Sequence, residues 1–285
     1  MPILSALHLY PIKSCAGITL QEATITGAGL MSAHIYDREW MVVDMHGEFL
    51  TQRDYPRMAL IQPRLRLDTL ELRAPGMLRL ELPLDLPAPE QLPATMKVRV
   101  WNDTLAAYDC GETAAAWFSN VLGTPCRLAR FHSDAQRHAD PRWTNGESAS
   151  MLFADGFPLL IISQASLDDL NQKLMAQGRA ALPMDRFRPN IVIDDSDAFE
   201  EDHAGLIRIG QASIRPSKPC PRCTIPSIDQ ATGASGPDPL DILRGYRANP
   251  IVDGGIAFGM NAMLIEGEGQ LLRVGQPVEM ELAFK

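Results

Sequence analysis

Residues 64–73 read RLRLDTLELR, with leucine at every second position: Leu65 and Leu67 before the pair Asp68-Thr69, Leu70 and Leu72 after it. A period of two marks a strand with one buried face, and a polar pair that interrupts it marks a turn, so this decapeptide predicts a half-buried hairpin. The pattern extends outward. Residues 4–10 alternate in part, and residues 40–43 and 48–50 flank Asp44-Met45-His46-Gly47, a turn in which glycine supplies positive φ. Short alternating segments punctuated by glycine and proline recur along the chain and predict a mostly β protein.

Three helices stand against that background. Residues 112–122 follow Asp109-Cys110-Gly111, are alanine-rich and carry Trp117, Val121 and Leu122 near one face. Residues 165–175 place Leu167, Leu170 and Leu174 at helical spacing behind Ser163 as N-cap. Residues 239–246 begin with Asp238 as cap and Pro239 at the first helical position, where its missing N–H costs nothing. Residues 83–93, with Pro83, Pro87, Pro89 and Pro93, read as a long surface loop. Residues 130–150 turn polar and lose periodicity, which sets a soft domain boundary just before them.

A length of 285 residues favours one large or two modest domains. No apolar run approaches the roughly 18 to 20 residues of a spanning helix. A net charge of −9, from 26 basic and 35 acidic residues, argues against general nucleic-acid binding. The N-terminal MPILSALHLYPIK has no cationic segment before its apolar stretch and no cleavage site after it, so it reads as mature protein. The five cysteines, Cys15, Cys110, Cys126, Cys220 and Cys223, are too sparse for a disulfide framework and fit a reducing cytoplasm.

Chemistry concentrates in three places. In residues 217–233, SKPCPRCTIPSIDQATG, Cys220 and Cys223 bracket Pro221-Arg222, and a cation beside a thiol favours the thiolate that binds metal or attacks. This pair is open to several readings: part of a zinc site, though no further ligand pair has suitable spacing; a thioredoxin-like dithiol, though it leads into Pro226 rather than a helix; or two packing cysteines. In residues 185–193, DRFRPNIVI, Arg186 and Arg188 alternate before an apolar strand, which on strand geometry points both to one face, and guanidinium forks match phosphate oxygens. In the N-terminal half, Lys13-Ser14-Cys15, Arg38, Arg53 and Arg57 are cations or their neighbours in apolar or turn-rich stretches, able to form a phosphate site if folding gathers them.

Taken in order, nine segments resemble the family that joins an N-terminal β-barrel-like domain to a molybdenum-cofactor-sulfurase C-terminal (MOSC) domain, including the mitochondrial amidoxime-reducing component and its bacterial counterparts. They are YPIKSC, DREW, TQRDYPRM, DCGE, FADGFPLLIISQASLDDLN, FRPNIVI, PCPRC, FGMNAML and VGQPV, and they extend from Tyr10 to Val278.

The resemblance implies a mostly β chain with peripheral helices, an N-terminal MOSC β-barrel-like domain over residues 1–126 and a MOSC β-barrel domain over residues 127–285. It implies a molybdenum cofactor (Mo-molybdopterin) between them, ligated by Cys223, with Lys13, Ser14, Arg38, Arg188, Asn190 and Arg222 holding the pterin and its phosphate. Asp155 falls beside the metal as a catalytic proton relay, and Asn261 stands near the cofactor where the mitochondrial proteins have tyrosine. The implied activity is molybdenum-dependent reduction of N-hydroxylated compounds (amidoximes, hydroxylamines, N-hydroxylated bases) to amines or amidines plus water. The alternative is a cofactor or sulfur carrier without turnover of its own. No ferredoxin-type C-x4-C-x2-C spacing is present, so the implied partner is an external electron donor: a ferredoxin, a flavoprotein reductase or a cytochrome b5-like protein.

Overall fold

The structure, a computed structural model, describes residues 1–88 and 92–283. Strands dominate and the α-helices number three among the described residues, in keeping with the mostly β reading. The leucine-alternating decapeptide forms the predicted hairpin: strands Gln62–Leu65 and Thr69–Arg73 pair with Leu65 opposite Leu70, and Leu80–Pro83 adds a third strand. Leu70 and Leu72 are buried while Leu67, at the turn, is exposed. Part of the proline-rich stretch, residues 89–91, lies outside the described residues.

The largest sheet runs in the order Ile18–Leu20, Ile3–Leu9, Ile191–Asp194, Leu159–Ser163, Gly255–Glu266, Ala212–Pro221, Ala204–Ile209, Val278–Leu282, with Ala248–Asn249 paired to the side of Gly255–Glu266. One of its pairings is parallel, Leu159–Ser163 beside Ile191–Asp194, and a parallel pair needs a crossover. Helix α2, Gln164–Ala176, is part of it: the Ser163 hydroxyl accepts from the Ser166 N–H as the predicted cap, and Leu167, Leu170 and Leu174 are buried. The first strand thus sits in a sheet otherwise built largely from the C-terminal half. Likewise Leu271–Arg273 pairs with Glu22–Thr26, and Trp40–Val43 pairs with Arg127–Phe131.

Helix α1, Gly111–Leu122, buries Trp117, Phe118 and Val121, and ends at Gly123 with φ 71°, a left-handed position that glycine tolerates. Helix α3 spans Leu240–Arg247; Pro239 stands at its cap rather than inside it, and the Asp238 carboxylate accepts from the Leu240 N–H.

Two local expectations change. Asp44 closes its turn by accepting from the His46 and Glu48 N–H groups, yet residues 48–50 form isolated bridges rather than a full strand. Arg186 and Arg188 do not share a strand face. Arg186 closes the 3-10 turn Met184–Arg186 and Arg188 has φ 56°, because the chain turns before Pro189 and the strand begins only at Ile191.

Candidate functional site: a cationic cavity with a cysteine at its edge

A cavity of about 690 Å³ opens where four loops meet. The loop after the first strand supplies Lys13 and Ser14. Arg38 comes from the turn between strands Ile35–Tyr36 and Trp40–Val43. The long segment before strand Leu159–Ser163 supplies Asp155, and the turn before Ile191–Asp194 supplies Arg188 and Asn190. Strand Ala212–Pro221 runs out into Arg222 and Cys223, and Asn261 faces in from Gly255–Glu266, opposite Leu160 and Lys218 in register. All the residues singled out for the site therefore line one space. Arg53 lines it too, whereas Arg57 is exposed elsewhere and Arg186 is tied to Asp229 at 2.7 Å and to the Pro226 carbonyl.

The cationic end of the cavity is built on Tyr10. The Arg38 guanidinium lies 4.4 Å and the Arg188 guanidinium 4.3 Å from the centre of its ring. Arg38 is paired with the buried carboxylate of Asp37, whose other oxygen accepts from the Tyr10 N–H at 2.8 Å. Asn190 accepts from the Leu160 N–H at 3.1 Å and from Arg38 at 3.4 Å, and its amide donates to the His8 carbonyl. Arg188 differs from all of these. It is 8% exposed, and its Nη2 is buried with no hydrogen-bond partner. Burial pushes its guanidinium down, with the Arg38 charge adding to the effect. Ser14, Arg38 and Arg188 have φ values of 66°, 52° and 56°. Left-handed backbone at such residues costs about 1–3 kcal/mol each and persists where surrounding contacts over-determine it, a pattern that clusters at ligand sites.

At the far side, Lys13 Nζ lies 2.5 Å from Asp155 Oδ1 and 2.9 Å from the Phe153 carbonyl. The indole N–H of Trp101 donates to the same Asp155 oxygen at 2.9 Å. Asp155 lines the cavity with an exposed side chain, 71% accessible. Its surroundings push the carboxyl up by desolvation, but the Lys13 ammonium and the Trp101 N–H outweigh that and hold it well below the usual carboxylate range. Burial pushes the Lys13 ammonium down, opposed by Asp155. In this arrangement Asp155 is an acceptor and Lys13 carries the proton.

Cys220 and Cys223 are both half-buried free thiols. Arg222 donates through Nη1 to Cys220 Sγ at 3.3 Å and through Nη2 to the Phe187 carbonyl at 2.7 Å, so it braces the loop that presents Cys223, while its Nε is buried without a partner.

Sequence reasoning missed three contributors. Tyr10 lies in YPIKSC, where nothing local marks its ring for the site. Trp101 sits in the two-residue loop joining Thr95–Val100 to Asp103–Asp109, with φ 54°, a hairpin that the alternation of Met96, Val98 and Val100 signals. Arg137, buried, donates to the carbonyls of Leu152 and Ala154 and to Asp103, clamping the segment that carries Asp155. Nothing local in the sequence marks it.

This strand-rich architecture with a cation-lined cavity matches two family models: the MOSC N-terminal beta barrel domain over residues 1–125 and the MOSC domain over residues 148–279. The chain belongs to the MOSC-domain family. It is 36% identical over 248 residues to the Homo sapiens protein named mitochondrial amidoxime reducing component 2, covering 86% of this chain and 72% of that one. It is 34% identical to the Mus musculus mitochondrial amidoxime-reducing component 1, covering 96% of this chain and 81% of that one. Homo sapiens molybdenum cofactor sulfurase is 34% identical over 81% of this chain, which spans only 27% of that longer protein. Family and relatives together support a role connected with the molybdenum cofactor. No helix among the described residues is long and apolar enough to cross a membrane.

Proposed function

We propose that the cavity holds a molybdenum cofactor and that the loaded protein reduces N-hydroxylated compounds. The observation that carries this is the buried, unpartnered Nη2 of Arg188 beside Arg38 in the cavity that also receives Cys223. Two guanidiniums suit the cofactor's phosphate, since charge-assisted contacts are about twice as strong as neutral ones. A soft thiolate at Cys223 suits a metal already bound to sulfur. Ser14, Asn190, Arg222 and Asn261 border the same space and would hold the pterin between residues 1–126 and residues 127–285 as the two halves of the site.

The molybdenum pterin, when bound, supplies two-electron oxygen-atom chemistry. The overall reaction joins R–NH–OH, two electrons and two protons to give R–NH2 and water. Lys13 holds a proton at Nζ beside Asp155 Oδ1, and Trp101 fixes that carboxylate from the other side. The electrons would come from an external donor protein, a reading in keeping with five cysteines at none of the iron–sulfur or haem-attachment spacings. The similarity to a molybdenum cofactor sulfurase favours a second reading, a carrier of cofactor or sulfur without turnover.

Metal and pterin analysis of protein made in a cofactor-competent host, followed by turnover of a simple amidoxime with dithionite-reduced viologen, tests both. Absence of molybdenum overturns both readings. Stoichiometric molybdenum without turnover leaves the carrier.

A further inference from the structure

Tyr10 is 2% exposed, and no step proposed above uses it. Its ring nevertheless touches both guanidiniums of the anion-binding end, at 4.4 Å and 4.3 Å, distances at which a cation is attracted to the ring quadrupole. The two cations arrive from residues 150 positions apart on turns with left-handed backbone, and among the described residues Arg188 forms no salt bridge, the carboxylates of Asp185 and Asp37 acting on it only through space. Like charges held close in a buried place repel, so something must hold them there before any anion arrives. Asp37 forms its salt bridge with Arg38 and acts on Arg188 only through space. The Tyr10 backbone N–H grips that same Asp37, so ring and carboxylate are fixed to each other.

The ring is itself held from behind. A Cβ built on Gly17 would stand 2.5 Å from Tyr10 Cε1 and 2.9 Å from Cδ1, so the loop after the site leaves room for the aromatic ring only because residue 17 has no side chain.

We infer that Tyr10 is a positioning residue: its ring is the spacer that keeps Arg38 and Arg188 together as a preassembled receptor selective for a phosphate dianion over a monoanion. Of the two cations only Arg38 is salt-bridged at this end, to Asp37, while Asp185 acts on Arg188 without a salt bridge, so the unpartnered Arg188 Nη2 is left for the ligand and a doubly charged anion gains from both guanidiniums. Preassembly means that ordering is complete before binding. This inference deepens the cofactor reading at its phosphate end, but it concerns an anion receptor that exists in the cofactor-free chain.

The test uses cofactor-free protein and inorganic phosphate, with affinity measured by calorimetry on either side of phosphate's second ionisation. Wild type should bind more tightly as the dianion forms. Tyr10→Phe, which keeps the ring, should match it. Tyr10→Leu should lose about tenfold or more in affinity for the dianion, from two cation–π contacts, and should flatten the pH dependence. Gly17→Ala leaves Tyr10, Arg38 and Arg188 chemically intact while displacing the ring, and should weaken phosphate in the same direction. It serves as the deciding variant if Tyr10→Leu does not fold. Phosphate affinity and pH dependence equal to wild type in the deciding variant, or no phosphate binding by folded wild type, overturn the inference. Molybdenum content of wild type from a competent host is scored separately, so loss of the cofactor reading is distinguishable from loss of this one.

Discussion

Lys13 Nζ and Asp155 Oδ1 stand 2.5 Å apart although 142 residues separate them in the chain. The pair ties the loop after the first strand to the segment held by Arg137, and it places one proton between two groups whose environments pull in opposite directions. Burial disfavours the ammonium, while the ammonium and the Trp101 N–H favour the carboxylate.

Replacing Asp155 by asparagine removes the charge that raises Lys13, so the Lys13 pKa should fall further, as an NMR titration of its ε-carbon would record. Turnover of an amidoxime should fall by about tenfold or more if the pair relays protons. An unchanged Lys13 titration would contradict the geometry, and an unchanged rate and pH profile would leave Asp155 with a purely local structural role.

The same pair sets a window of pH-dependent stability. The folded carboxyl titrates below its unfolded value of about 3.9, so its contribution is complete above that value and is lost only as pH falls through the folded one. Lys13 has the opposite sign: its folded pKa lies below the unfolded value of about 10.4, so its buried ammonium costs stability at neutral pH, and that cost is relieved as pH rises through the folded value, where the attraction to Asp155 is lost as well. Melting temperatures of wild type and Asp155→Asn should therefore differ by a constant amount through neutral pH and converge at both extremes.

Cys223→Ser should abolish turnover and change the metal's spectrum, whereas Cys220→Ser, which exchanges the sulfur acceptor of Arg222 Nη1 for a hydroxyl oxygen, should retain measurable activity. Equal and complete loss in both would favour a working dithiol.

In cofactor-free protein the Arg188 guanidinium is a buried cation with an unsatisfied donor, a feature that costs about 1–3 kcal/mol. Arg188→Met should therefore stabilise the cofactor-free chain in urea unfolding, by about 1 kcal/mol or more, while the double variant Arg38→Ala, Arg188→Ala should remain folded and purify largely without cofactor. A less stable Arg188→Met would show that the arginine serves the fold.

Arg137→Met should destabilise by about 2–4 kcal/mol, because it strands the buried carbonyls of Leu152 and Ala154 and releases Asp103. Denaturant unfolding measures the loss. The activity of the folded fraction should fall as well, since the clamp holds the Asp155 segment.

Given NADH or NADPH alone, the purified protein should not reduce an amidoxime, and reduced viologen should start the reaction. Turnover on pyridine nucleotide without a second protein would require a redox site that the cysteine spacings do not offer.

What could be read from the chain was whatever is local. The 64–73 hairpin follows from leucine at period two, and the Ser163 cap from a hydroxyl three residues before the N–H it accepts. The site residues were reachable because short segments around Lys13, Arg38, Arg188 and Cys223 resemble a family. What escaped is long-range or conformational. The Arg137 clamp depends on carbonyls 15 and 17 residues away. The divergence of Arg186 from Arg188 depends on a left-handed residue before a proline, where the backbone is already restricted and period-two reasoning fails. The convergence of Arg38 and Arg188 on Tyr10 depends on the register between strands Ile3–Leu9 and Ile191–Asp194, which no single segment encodes.

That register also fixes when the cavity can exist. A polypeptide leaves the ribosome N-terminus first, and its early parts fold as soon as their partners are available. Here the first strand must wait for Ile191–Asp194, the Glu22–Thr26 strand for Leu271–Arg273, and the Leu4 N–H for the carbonyl of Gln276. Until the segments around Asp155 and Ile191–Asp194 have emerged, Lys13 has no carboxylate to pair with and Tyr10 and Arg38 have no second guanidinium to face. The pocket is therefore completed late in translation, and anything that occupies it enters after these strands have emerged and paired.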